Sequence, residues 1–119
     1  MADIEAELNT HLMADTNVTA LLSDKYYPTH KPQGIKPPYA VYYVISDNSN
    51  QCLGGGIYQN ETRIQINLYG TSYAEVVNIK NAVKDSVVGF KSSYDINVID
   101  GYDDNTEYFK KILDFKLKN

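Results

Sequence analysis

The sequence predicts an α+β fold, with an antiparallel sheet of about four strands and helices packed on one face. Residues 61–69 alternate between apolar and polar side chains, which is typical of a strand with one buried face. Residues 72–88 carry a capping signal followed by an apolar stripe, which predicts one longer helix. The predicted order is helix, helix, strand, strand, helix, strand, strand. This order places strand pairs on either side of the longer helix and favours α+β over alternating α/β.

Two short helices are predicted at the N-terminus. Segment 3–14 places a large apolar residue at every fourth position, ending with Leu12, and has acids in its first turns, where the helix dipole favours negative charge. Asp15 or Thr16 can cap a second helix, whose apolar residues recur at helical spacing up to Leu22.

The middle of the chain predicts two strands joined by a long connection. Residues 26–28 form a brief extended piece, and 29–38 form a loop interrupted by prolines. Residues 39–45 are almost wholly apolar and β-prone, which favours a central strand or a strand with one face in a subunit contact. Residues 46–60 are polar and glycine-rich and are predicted to be a long mobile loop before the strand at 61–69.

The longer helix has signals at both ends. Ser72 and Glu75 form a capping box, and Gly89 is a natural residue to follow the helix. Its apolar residues mark one face: Tyr73, Val76, Val77, Val83 and Val87. The helix is therefore predicted to span 72–88.

Two strands are predicted after this helix. Apolar residues alternate in 94–98, the polar stretch 100–105 provides a turn, and alternation resumes in 109–117. Lys111 interrupts the apolar face of the last strand. Because a charged residue on an apolar face protects an edge strand from stray pairing, the last strand is predicted to lie at an edge.

Length and composition limit the class of protein. A chain of 119 residues with 43% hydrophobic residues is predicted to form one domain over 1–119 with its own core. We find no apolar run long enough for a membrane-spanning helix and no basic, apolar leader, so the product is expected to stay in the cytoplasm where it is made. The single cysteine, Cys52, cannot form an internal disulfide, and His11 and His30 do not complete a zinc ligand set.

The net charge and the aromatic content of the chain indicate which kinds of partner it could contact. The net charge of −4 argues against a protein that holds nucleic acid through its phosphates, although DNA could pass along it. The chain has eleven tyrosines and no tryptophan, which is typical of strand-rich or interface-rich proteins.

The sequence offers no recognisable catalytic, cofactor or metal site. His11 and His30 have no partner that spacing identifies. The triplet Gly54–Gly56 lacks the Lys-Ser/Thr pair and the following helix of a phosphate loop. The acids of segment 100–107 lack the spacing of a calcium loop. The residues themselves therefore predict a non-enzymatic α+β domain without naming its partner.

The order of several short motifs resembles the tail-completion protein family of long-tailed bacteriophages. The similarity covers residue 1 to about residue 90, and the last 30 residues offer no matching landmark. The motifs are the opening Met-Ala-Asp-Ile-Glu-Ala-Glu-Leu, Val18-Thr19-Ala20-Leu21-Leu22, Tyr26-Tyr27-Pro28, Pro32-Gln33-Gly34, Pro37-Pro38-Tyr39-Ala40-Val41-Tyr42, Thr62-Arg63-Ile64-Gln65-Ile66-Asn67-Leu68-Tyr69 and Ser72-Tyr73.

This resemblance implies a non-enzymatic structural protein of a phage or prophage virion. Such proteins are similar to tail terminators, which form a ring, usually a hexamer, on the head-proximal end of the tail tube. The ring ends tube polymerisation and prepares head–tail joining. The implied partners are further copies of the chain, the tail tube protein and head–tail connector proteins. DNA would pass through the lumen without specific binding, and the protein would be assembled in the bacterial cytoplasm and end in the virion tail.

The predicted loop at 46–60 is the candidate assembly contact. Its residues of interest are Gln51, Leu53, Gly54, Gly55, Gly56, Ile57 and Tyr58. Leu53, Ile57 and Tyr58 would serve as apolar anchors when the loop orders on assembly. The alternative is a hairpin loop with no role in assembly.

Other functions remain open from the sequence. A head-side connector or stopper would share the size and charge of a terminator. A small cytoplasmic ligand-binding or regulatory domain would use the same layers and would be distinguished by a deep apolar pocket. An enzyme is the weakest alternative and would need His11 or His30 beside Cys52 or a carboxylate.

Overall fold

The computed structural model describes residues 4–23, 25–29, 32–51, 57–90, 93–104 and 107–118. It confirms the α+β class, with helices and strands in the predicted order. The elements are α1 (Ile4–Ala14), α2 (Thr16–Leu22), β1 (Tyr26–Pro28), β2 (Tyr39–Gln51), β3 (Ile57–Gly70), α3 (Tyr73–Val88), β4 (Ser93–Asp103) and β5 (Tyr108–Lys118).

The strands form one five-stranded sheet in the order β1-β2-β3-β5-β4. The four long strands pair antiparallel, as predicted. The brief extended piece at Tyr26–Pro28 adds a fifth strand, which pairs parallel with β2 and makes the sheet mixed. Its three residues are too few to show a periodic pattern, so the sequence does not reveal its place in the sheet.

The core lies between one face of the sheet and the three helices. Alternate residues of β2, β3 and β5 point to this face, and their partners come from the apolar stripes of the helices. The core residues are Leu8, Leu12, Val18, Leu22, Ala40, Tyr42, Ile64, Ile66, Leu68, Val76, Ile79, Val83, Val87, Phe90, Leu113, Phe115 and Leu117. The helices therefore cover one face of the sheet, as predicted, and among the described residues no helix covers the other face.

Helix α3 begins as the sequence predicts. The Ser72 hydroxyl accepts a hydrogen bond from the Glu75 N–H at 3.1 Å, and the Glu75 carboxylate accepts one from the Thr71 N–H at 2.8 Å. The helix ends at Gly89, which has an ordinary right-handed φ of −77°. The glycine at this end is therefore not required by a left-handed conformation.

The prediction that the last strand lies at an edge is wrong, because β5 pairs with β3 on one side and β4 on the other. Lys111 is 6% exposed on the core face. Its ammonium donates hydrogen bonds to the Asp100 carboxylate and to the Tyr73 hydroxyl. The bond to Asp100, followed by that to Tyr73, raises the pKa of Lys111. A carboxylate from the neighbouring strand thus makes a lysine acceptable inside the sheet.

Within the described residues, no helix combines the length and the apolar character needed to cross a lipid bilayer.

Candidate functional site

The two central strands β2 and β3 continue past the rest of the sheet. Strand β1 stops pairing with β2 at Tyr42, and β5 stops pairing with β3 at Glu61. Beyond Asn48 of β2 and Glu61 of β3, the described residues of these two strands pair only with each other, through residues 49–51 and 57–60. We call these two segments the arm. It is a two-stranded ribbon that leaves the body of the sheet.

The dimensions of the chain agree with a projecting arm. Four residues of extended strand span about 13 Å. The principal extents of the chain are 52 × 29 × 25 Å, and its radius of gyration is 15.3 Å, against about 13.5 Å for a compact domain of this length. The molecule is therefore elongated.

The arm corrects the prediction of a long mobile loop at 46–60. Of the candidate contact residues, Gln51 ends β2, Ile57 begins β3 as its partner, and Tyr58 follows in β3. Leu53 and Gly54–Gly56 lie outside the described residues. Side-chain periodicity reports burial against a core, and the polar sequence of the arm carries no such period. The strands of the arm are joined by backbone pairing, which periodicity does not reveal.

A two-stranded ribbon is a weak structure by itself. In water an isolated hairpin is marginally stable and needs a third strand or a packed face for independent stability. Unpaired strand edges also offer N–H and C=O groups that another chain can pair with. The arm is therefore a surface that a partner could stabilise.

The sheet face without helices is held together by contacts between strands. Arg63 of β3 makes a two-pronged ion pair with Asp114 of β5, at 2.9 and 2.6 Å. Tyr39 and Tyr69 stack across β2 and β3 with ring centroids 4.8 Å apart, and the Lys110 ammonium lies 5.8 Å from the Tyr69 ring. Contacts between tyrosines on neighbouring strands thus help to hold this face together, and they explain part of the high tyrosine content.

Three side chains meet where the arm leaves the body. The Tyr94 hydroxyl of β4 donates a hydrogen bond to the Glu61 carboxylate, and the Lys118 ammonium lies 5.1 Å from the Tyr94 ring. The hydrogen bond to Glu61, with burial as the next cause, raises the pKa of Tyr94 to about 12. This cluster joins the edge strand β4 to the base of the arm across β5.

The histidine that the structure describes has a structural contact. His11 Nε2 lies 2.8 Å from the Ser86 carbonyl oxygen, to which it donates, and its ring packs against Phe90. A shallow surface groove runs beside it, lined by Ala6, Glu7, Thr10, His11 and Phe90.

His30 and Cys52 lie outside the described residues. In the part of the chain that is described, no three His, Cys, Asp or Glu side chains form a group that could hold a metal ion.

Comparison with solved structures shows a related fold. A chain from the virion of a native gene transfer agent particle superimposes with a TM-score of 0.65 and 15% sequence identity, over 93% of this chain and 90% of that chain. At this identity the similarity concerns the fold. No curated protein sequence matches the chain significantly. The family model of tail completion protein gp17 matches residues 6–115. This match covers nearly the whole chain, which therefore belongs to the tail completion protein gp17 family.

Proposed function

We propose that the protein is a non-enzymatic component of a phage or prophage tail that caps the head-proximal end of the tail tube as a ring. The ring, expected to be a hexamer, ends tube polymerisation and prepares head–tail joining. The observation that carries this proposal is the family match over residues 6–115. The fold shared with a chain of a phage-like virion supports it.

The charge of the chain suits such a ring. A net charge of −4 repels the phosphates of DNA that passes through a lumen, so that DNA moves without sticking. The partners in this proposal are further copies of the chain, the tail tube protein and the head–tail connector proteins.

The arm is the proposed contact with a neighbouring protein of the tail. It projects from the sheet and includes Gln51, Ile57 and Tyr58 of the candidate contact. A partner that pairs with the arm would supply the third strand that a two-stranded ribbon needs for independent stability. Leu53, Ile57 and Tyr58 remain the proposed apolar anchors, with Gly54–Gly56 between them.

The direct test measures capping of tail tubes built from the tube protein of the same phage genome. Purified protein is mixed with isolated tubes, and the fraction of tubes carrying a ring at one end is counted by electron microscopy. The proposal expects end-binding and an arrest of further tube growth. Binding to the head connector without binding to tubes would contradict it and favour the head-side stopper.

The role of the arm and of the segment that connects its strands is tested by two triple variants of equal size. Replacing the anchors with serine (Leu53→Ser, Ile57→Ser and Tyr58→Ser) should lower the affinity for tubes at least about tenfold, since apolar anchors carry most contact energy. Replacing polar arm residues with alanine (Ser49→Ala, Asn50→Ala and Gln59→Ala) is the matched control and should keep capping near wild type. Equal capping by both variants would show that the anchors do not make the contact.

A further inference from the structure

The two ends of the sheet have opposite charge. The segment 25–38, which contains β1 and the connection to β2, has three lysines, one histidine and no acid. The segment 93–107, which contains β4 and the turn after it, has five acids and no lysine or arginine. Because β1 and β4 are the outermost strands, one edge of the sheet is basic and the other is acidic.

The charges on both edges are accessible. Lys36 is exposed, and the Lys25 ammonium donates to the Lys36 carbonyl at 3.1 Å, which places the two residues side by side next to β1. At the other edge Asp95 and Asp100 pair with lysines of β5, yet their side chains stay 62% and 61% exposed. Asp104, just after β4, is also exposed. Each edge can therefore present its charge to another molecule.

Each edge also exposes large apolar side chains. Val44 and Ile45 of β2, just beyond the end of β1, are 42% and 46% exposed, while Ile99 and Tyr102 of β4 are 54% and 49% exposed. An apolar centre with charged residues around it is the usual composition of a protein contact surface. The two edges are therefore complementary. The exposed apolar side chains of one edge can pack against those of the other, and the acids of one edge can face the lysines of the other.

The backbone of β4 adds to this surface. In the described sheet its outer edge pairs with no strand, and a register irregularity separates Tyr94 from Asn97. Regular pairing with β5 covers residues 97–103. Their outward N–H and C=O groups can bond to another chain.

We infer that a second copy of this chain binds edge to edge, with the acidic β4 edge of one subunit against the basic β1 edge of the next. This inference rests on the proposed ring and names the surfaces that build it. The acidic edge does not complement itself, and neither does the basic edge, so the contact is head-to-tail. Such a contact repeats around a ring when the rotation between subunits closes.

The test shifts the charge of each edge separately. Variant A carries Gln33→Glu and Lys36→Glu on the basic edge, and variant B carries Asn97→Lys and Asp104→Lys on the acidic edge. All four residues are exposed, and the two variants shift the charge by equal and opposite amounts. A matched control, Asn81→Lys with Asp85→Lys on the exposed side of α3, makes the same charge shift as variant B away from both edges.

Assembly is measured by light scattering across concentrations, with and without isolated tail tubes. Variant A changes the charge of segment 25–38 from +3 to 0, and variant B changes that of segment 93–107 from −5 to −2. Each variant alone therefore weakens the charge attraction in every contact, so its assembly should need at least about tenfold higher concentration than wild type. An equal mixture of A and B should form mixed pairs near the wild-type concentration, because the acidic edge of A and the basic edge of B are both unchanged. The control should assemble like wild type.

Three results would overturn the inference. These are normal assembly by A or B alone, a mixture that stays unassembled although both variants keep the wild-type thermal midpoint, and a control as impaired as B. If wild-type rings still cap tubes in any of these cases, the proposed function is not contradicted. Wild-type protein that neither assembles nor binds tubes would instead remove the proposed function, and the inference with it.

Discussion

The inner and outer halves of β2 and β3 behave differently although they belong to the same two strands. In the inner half of β3, Ile64, Ile66 and Leu68 are fully buried under the helices, and both strands have neighbours on either side. In the arm the pairing continues without flanking strands. A strand can therefore continue beyond the core by backbone pairing, whereas the free energy of folding comes mainly from the buried apolar side chains. We therefore expect the fold to depend on the inner half more than on the arm.

The largest expected effect tests the body of the sheet. Phe115 of β5 is fully buried in the core, so Phe115→Ala should destabilise the protein by about 3–5 kcal/mol through lost burial and the cavity that remains. Urea denaturation followed by circular dichroism measures the change. A loss below about 1 kcal/mol would contradict the placement of the core.

A smaller effect concerns the buried lysine at the edge of the same core. Asp100→Ala should cost roughly 1–3 kcal/mol because it leaves the Lys111 ammonium buried with the Tyr73 hydroxyl as its remaining described partner. Lys111→Met should cost less, because the exposed Asp100 carboxylate returns to water and an apolar side chain fills the site. The two variants are compared by urea denaturation, and a larger loss for Lys111→Met would contradict this account.

The base of the arm gives a pH-dependent effect. Tyr94 has its pKa raised from 10.0 to about 12 by its hydrogen bond to Glu61. The folded state therefore holds this proton more tightly than the unfolded state. The resulting stability is fully present below pH 10.0 and is lost as pH rises towards about 12.

Comparison with Tyr94→Phe isolates this contribution from those of all other groups. The difference in urea midpoint between wild type and Tyr94→Phe should shrink as pH rises through this window. A difference that stays constant with pH would show that Tyr94 does not hold its proton through Glu61.

The smallest effect on stability is expected in the arm. Residues 49–60 are replaced by Asn-Gly, so that the paired residues Asn48 and Glu61 flank a two-residue turn suited to a hairpin. Thermal unfolding should change by no more than about 0.5 kcal/mol, while tube capping is lost. A large loss of stability would show that the arm supports the body and would remove the contrast between the two regions.

Prediction from the sequence succeeded where side chains meet the core. The spacing of Leu8 and Leu12, the alternation of 61–69 and the cap at Ser72 each reflect burial or local hydrogen bonding, and the structure confirms these elements. Prediction failed at Lys111, because the partner that compensates its charge comes from a different strand. It also failed at 46–51 and 57–60, where the backbone forms paired strands although the polar sequence shows no strand period.

The candidate site shows the same division. The sequence singled out Gln51, Ile57 and Tyr58 from a polar, glycine-rich composition and a family resemblance, and the family membership is confirmed by the match over 6–115. The opposite charges of segments 25–38 and 93–107 are visible in the sequence. Only the strand order shows that these two segments lie at opposite edges of one sheet.

The sequence by itself determined the helices, the long strands and the α+β class, because these follow from periodicity and capping over short distances. The tertiary structure alone decided that β1 joins the sheet in parallel, that β5 lies inside it and that β2 and β3 extend as an arm. Strand order and the length of pairing depend on contacts between residues far apart in the chain, and no local pattern records them.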